Sequence, residues 1–192
     1  MKRYILTGTP GAGKTTLIRA LTLLGHSVVP EAATDIIALK QKQGIATPWE
    51  EAGFIDAIVG LQQRRLKKIH QQSSKKNTSA IQFHDRSVIC CYALARYQGR
   101  APSSLLLAEL ERIKRENVFQ RDVFFIRTLG FCEPTAARKI SFEQSLVFEQ
   151  VHMDVYQELG YRLVEIEKDT VEKRLNKILS FVIPTERSDE GS

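Results

Sequence analysis

Cysteine is scarce in this chain of 192 residues, and two of the three present, Cys90, Cys91 and Cys132, are adjacent. That spacing makes no disulfide framework and lacks the C-x-x-C step of a zinc or redox site, so a reducing, cytoplasmic setting is expected. Long apolar runs are missing as well. None reaches the ~18 residues that span a bilayer, which excludes a membrane-crossing helix. The opening Met1-Lys2-Arg3-Tyr4-Ile5-Leu6-Thr7-Gly8 starts with charge, but its apolar stretch stops after three residues. That is too short for a secretory signal core. There is no internal repeat, no low-complexity segment and no dividing linker. One domain is therefore expected over residues 1–183, followed by a polar, frayed tail at 184–192.

Acidic residues are too few to balance the basic ones, leaving a net charge of +6. Such a surplus suits nucleic acid or a small phosphorylated ligand. Its densest part is Arg64-Arg65-Leu66-Lys67-Lys68, continued by His70, Lys75 and Lys76. No zinc finger, basic zipper or RNA-binding aromatic signature accompanies it, so it reads as the solvated face of a helix. Specific nucleic-acid binding is not expected.

Composition is otherwise that of a globular domain, 43% hydrophobic and 26% charged, long enough for one good core. Short apolar bursts alternate with helical patterns. Tyr4–Thr7, Ser27–Pro30, Ala80–His84, Val123–Ile126 and Arg162–Ile166 read as strands. Lys14 to Leu24 reads as a helix closed by Gly25. Thr47-Pro48-Trp49-Glu50 has the pattern of an N-cap, a proline at the first position and a capping-box glutamate, predicting a helix toward Gln72. Ser141-Phe142-Glu143-Gln144 is a second capping box, whose helix ends near Gly160. This alternation predicts an α/β fold with a parallel sheet and helices on both faces.

Directly after the first strand stands Gly8-Thr9-Pro10-Gly11-Ala12-Gly13-Lys14-Thr15. It satisfies G-x-x-x-x-G-K-[ST] and opens a helix, which is the context of a P-loop (Walker A). Glycines let successive backbone N–H groups turn toward phosphate oxygens, and the helix N-terminus adds partial positive charge. Gly8, Pro10, Gly11, Ala12, Gly13, Lys14, Thr15 and Thr16 are the expected nucleotide contacts. Lys14 would bridge the β- and γ-phosphates, and Thr15 would ligate Mg²⁺. A GTPase should also carry N-K-x-D; the nearest match, Asn176-Lys177-Ile178-Leu179, lacks the aspartate, so ATP is favoured by elimination.

In parallel sheets ligands sit at the carboxyl ends of strands. Glu31 ends the second strand and Asp85 the third, with Arg86 beside it. Asp85 is placed to serve Mg²⁺ as a Walker B carboxylate. Gln82 and His84 interrupt its strand on one face, which predicts a strand only half buried. The bland alternatives are an N-cap role for Asp85 and a helix-dipole role for Glu31.

Taken as a set, the P-loop, Val29-Pro30-Glu31-Ala32-Ala33 and Asp85-Arg86-Ser87 resemble the small P-loop kinases. The layout is most similar to the AAA-type small predicted-ATPase family, whose relatives include ribosylnicotinamide kinase domains and deoxynucleoside kinases. Glu158 to Ile166 and Thr170 to Arg174 are similar to that family's ending. The resemblance implies a five-stranded sheet of order 2-3-1-4-5 and a lid between the fourth strand and the long helix. It also implies a lid arginine at Arg138, although the Asp-Gly that often precedes it is absent; Arg127 loosely matches a second.

Two functions follow. In the first, a small-molecule kinase moves the γ-phosphate of MgATP to the hydroxyl of a nucleoside- or nucleotide-like acceptor. Lys14, Glu31, Asp85, Arg86 and Arg138 are then its catalytic set: Glu31 serves the acceptor hydroxyl, while Arg86 and Arg138 meet charge on the transferring group. Residues 32–72 would cover the acceptor, offering Trp49 and Phe54 for stacking and Gln62, Gln63 and Arg64 as polar handles. In the second, an ATPase or nucleotide-dependent switch acts on a protein or nucleic acid through the basic stretch.

Overall fold

The computed structural model describes residues 1–9, 11–73, 81–129 and 141–183. Its strands are β1 (Lys2–Thr7), β2 (Ser27–Val29), β3 (Ile81–Asp85), β4 (Asp122–Ile126) and β5 (Arg162–Ile166). The helices are α1 (Lys14–Leu23), α2 (Ala32–Lys42), α3 (Phe54–Ser73), α4 (Val88–Tyr97), α5 (Ser104–Arg115), α6 (Phe142–Glu158) and α7 (Val171–Val182). All strand pairs are parallel, in the order β2-β3-β1-β4-β5. β1 is thus central, with Leu6 opposite both Asp85 of β3 and Phe124 of β4.

Period-two alternation divides the core into two layers. Tyr4 and Leu6 of β1, with Phe83, Phe124, Ile126 and Ile166, pack on Leu17, Ile18 and Leu21 of α1 and Ile178 and Val182 of α7. Ile5 and Val123 point the other way, into a layer filled by α2 to α6. Both faces of the sheet are covered, as parallel sheets require.

Gln82 and His84 face that second layer, yet they are 0% and 3% exposed, so the expectation of a half-buried strand is corrected. They satisfy one another: His84 Nε2 lies 2.9 Å from Gln82 Oε1, and Gln82 Nε2 donates to Ser27 Oγ at 3.0 Å. The His84 ring meets Phe119 edge-on at 5.0 Å.

A further correction concerns Thr47. Pro48–Glu50 form only a 3₁₀ turn, Glu51 is extended, and α3 begins afresh at Phe54. The Thr47 hydroxyl donates to the Glu50 carboxylate at 2.8 Å instead of accepting a backbone N–H. At Ser141 the capping box forms in full, and α6 runs to Glu158. Gly25 follows α1 with φ of 81°, as a left-handed cap should. Among the described residues no helix is long and apolar enough to cross a membrane.

Candidate active site

The chain leaves β1 at Thr7 and turns through Gly8 (φ 131°), Gly11 (φ 83°) and Gly13 (φ 80°) before α1 starts at Lys14. A side chain at Gly8 would overlap the Ile126 carbonyl, so the loop is pressed against the end of β4. Gly13 caps α1 in the left-handed conformation, and Thr15 and Thr16 are exposed in the first turn. Lys14 folds back over the loop, its Nζ donating to the carbonyls of Gly8 (2.9 Å) and Thr9 (2.6 Å). Burial, with Arg86 nearby, lowers the ammonium pKa to about 7 even though Asp85 and Glu31 oppose the shift. Pro10 and Arg138 lie outside the described residues.

Glu31, Asp85 and Arg86 come together beside this lysine. Arg86 takes φ of 67° immediately after β3, its N–H donates to the Leu6 carbonyl at 2.9 Å, and its Nε pairs with Glu31 Oε1 at 2.6 Å. Held between Glu31, Cys90 and Asp85, the guanidinium stays charged although burial opposes it. Burial pushes Glu31 up, but Arg86 and Lys14 outweigh it and leave the carboxyl below its usual range. Its second oxygen accepts from the Thr34 hydroxyl at 2.8 Å. Glu31 stands at the N-cap of α2 without capping it.

Asp85 behaves differently. Burial and the Glu31 charge raise it to about 6, and its Oδ1 is buried with no hydrogen-bond partner among the described residues. The N-cap of α4 is Ser87, which accepts from Ile89 N, so the capping alternative for Asp85 is excluded. An orphaned carboxylate oxygen at this strand end fits Mg²⁺, a hard cation that takes one or two protein oxygens and completes its shell with phosphates and water. No cluster of three or more His, Cys, Asp or Glu capable of holding a metal occurs among the described residues. Asp85, with Thr15 in the first turn of α1, is the residue that could hold such an ion together with a nucleotide.

The residues expected over the acceptor are partly core. Phe54 is 2% exposed, and Trp49 packs on the same layer. Gln63 donates to Glu109 at 2.8 Å, and Gln62 lies 3.8 Å from the Cys91 thiol. Within the basic stretch, Arg65 turns to the Pro30 carbonyl and to Asp35.

Sequence reading missed a buried polar layer from α6 beneath the loop. Glu149 accepts from the Thr9 hydroxyl at 3.2 Å and pairs with Arg127 at 3.2 Å. The Tyr156 hydroxyl lies 3.0 Å from Ser87 Oγ and 3.3 Å from Cys90 Sγ, and Thr7 Oγ1 is 3.2 Å from that sulfur. Burial raises the Cys90 thiol, but His152 and Arg86 beside it outweigh that and draw it well below the ordinary range. Glu149, His152 and Tyr156 follow helical spacing, so their shared face was readable, but not their partners.

The structure of a deoxyadenosine kinase from M. mycoides, with products dCMP and a flexible dCDP bound, is similar over 94% of this chain and 98% of its own. The TM-score is 0.60 at 12% identity, a likeness of fold. No curated protein sequence matches the chain. Residues 3–174 match the AAA domain family. With a P-loop on the central strand of a 2-3-1-4-5 sheet and that match over most of its length, the chain belongs to the AAA domain family and has the fold of a small P-loop kinase.

Proposed function

We propose that residues 1–183 act as one kinase domain that transfers the γ-phosphate of MgATP to a hydroxyl of a small nucleoside- or nucleotide-like acceptor. The observation that carries this reading is the convergence of Glu31, Arg86 and Asp85 on Lys14, all on the β3 side of the P-loop. A kinase needs a base, a cation and a metal carboxylate at one end of the triphosphate, and these three supply them. Glu31, kept ionised by Arg86, takes the acceptor's proton while its oxygen attacks the γ-phosphorus. The bond to the β–γ bridging oxygen breaks and ADP leaves. Lys14 and Arg86 meet the charge on the phosphoryl oxygens. Mg²⁺, when bound by Thr15 and Asp85, neutralises charge on the phosphates.

The experiment is ADP formation from MgATP with nucleosides, nucleotides and related alcohols as acceptors. Acceptor-dependent ADP and a phosphorylated product are expected. ADP release stimulated only by protein or nucleic acid would replace the kinase with a switch. As a control on the donor site, MgATP at 100 times its dissociation constant should stabilise the wild type by roughly 2.7 kcal/mol. Lys14→Ala should remove most of that thermal shift, and an undiminished shift in a folded Lys14→Ala protein would overturn the P-loop assignment.

A further inference from the structure

Glu149 is a carboxylate built beneath a loop whose task is to attract phosphate. It is 4% exposed on α6, and its Oε2 accepts from the Thr9 hydroxyl at 3.2 Å. Negative charge so close to the loop weakens phosphate binding unless it is neutralised. A glutamine would accept the same hydrogen bond without the charge, so that bond alone does not call for a glutamate. The second oxygen supplies the reason. Oε1 pairs with Arg127 Nη1 at 3.2 Å, a nitrogen that also lies 3.6 Å from Glu165 and 3.3 Å from Met153 Sδ. Arg127 is fixed through its backbone as well. Its N–H donates to the Ile166 carbonyl at 3.0 Å, and its carbonyl accepts from Arg174 Nη2 at 3.2 Å.

Thr9 is the point at which this pair reaches the site. It is 0% exposed, so its hydroxyl is given to Glu149 and not to a ligand. Its carbonyl accepts from Lys14 Nζ at 2.6 Å and from the Ala12 N–H at 3.4 Å. Holding the hydroxyl therefore holds the residue on whose carbonyl the lysine rests. Gly8, one position earlier, is backed by the Ile126 carbonyl at the end of β4. The start of the loop is thus braced from β4 and from α6.

From this arrangement we infer that Glu149 is a positioning residue for the P-loop, with Arg127 as its counter-ion. It fixes Thr9, and through Thr9 it sets Lys14 in the pose that receives the triphosphate. Donors already in place need no rearrangement when the charge arrives, and this is what the brace adds to phosphate affinity. The inference rests on the nucleotide-binding reading of the P-loop and adds to it what holds the loop ready.

The probe is inorganic tripolyphosphate, titrated calorimetrically into the wild type and four variants. Thr9→Val keeps the shape and drops the hydroxyl, whereas Thr9→Ser keeps the hydroxyl. Arg127→Met/Glu149→Met removes the brace at constant net charge, and the fourth variant combines it with Thr9→Val. About ten-fold weaker binding is expected in Thr9→Val and in the paired variant, with wild-type binding in Thr9→Ser. The combined variant should bind no more weakly than the worse of those two, because both break one contact. Urea unfolding of the same proteins separates affinity from stability. Variants that lose stability but bind tripolyphosphate like the wild type would overturn the inference, since that is the mark of a purely structural pair. Equal losses in Thr9→Val and Thr9→Ser would overturn it too, as would losses that multiply in the combined variant. Should the paired variant fail to fold, Thr9→Val against Thr9→Ser decides by the same criteria. A folded wild type that binds neither tripolyphosphate nor MgATP would end the P-loop reading and this inference with it. A wild type that binds both, with indifferent variants, would end this inference alone.

Discussion

Asp85 and Glu31 differ in what already holds them. Glu31 has both oxygens engaged, by Arg86 and Thr34, whereas Asp85 has a buried oxygen with nothing beside it among the described residues. That difference separates their mutants. Asp85→Asn should weaken every ATP-consuming activity, including hydrolysis without acceptor, because it removes charge where a cation is to be held. Glu31→Gln should retain MgATP affinity and background hydrolysis but lose transfer by about 10²–10⁴-fold, the usual worth of a general base. MgATP affinity and acceptor-free hydrolysis of each variant check the split, followed by transfer. Wild-type transfer by Glu31→Gln would return Glu31 to a purely structural role. Their placement at the carboxyl ends of β2 and β3 was legible beforehand, since each acid follows an apolar burst. The burial of Arg174 was not legible: an arginine on an amphipathic helix reads as solvent-facing until the fold sets it against Gly13.

Helix α6 joins the loop to the second core layer. Its buried face carries Glu149 under Thr9 and Tyr156 between Ser87 and Cys90. Tyr156→Phe removes one hydroxyl and leaves Ser87 and Cys90 short of a buried partner. A loss of about 1–3 kcal/mol is expected in urea unfolding, with the denaturant slope unchanged. Equal stability of variant and wild type would mean that these polar groups need no tyrosine. The start of α6 could be read from sequence because Ser141 and Gln144 are three residues apart and bond to each other. Thr47 has the same local pattern, but the backbone turns extended at Glu51, and the chain reaches α3 by a separate start. The partners of α6 at Thr9, Ser87 and Cys90 were hidden because they lie 66 to 140 positions away in the chain. Local spacing tells which side chains share a face and not what that face will touch.

At the scale of the whole molecule, stability should depend on acid through a residue outside the site. Burial, with Arg3 nearby, holds His84 down at about 3, against 6.5 for an ordinary imidazole. Between those values the unfolded chain takes up a proton that the folded one refuses. Stability therefore falls as pH drops below 6.5, by about 2 kcal/mol on reaching about pH 5. Asp85 acts in the opposite sense: raised from 3.8 to about 6, it binds a proton in the folded state first and adds stability as pH falls through 6. Urea unfolding across this range for the wild type and His84→Gln isolates the histidine, and the variant should lose less stability in acid. Parallel curves would show that His84 protonates within the fold. The central position of β1 has a different consequence, for the order in which the chain assembles. Its partners begin at Ile81 and Val123, and β2 pairs with β3, so the first two strands made never touch each other. A growing chain thus holds an apolar strand unpaired until β3 emerges, and the P-loop has no wall at Gly8 until Ile126 arrives. Such distant pairing closes large loops before any sheet forms, which makes folding slow and leaves early intermediates open to aggregation on the ribosome.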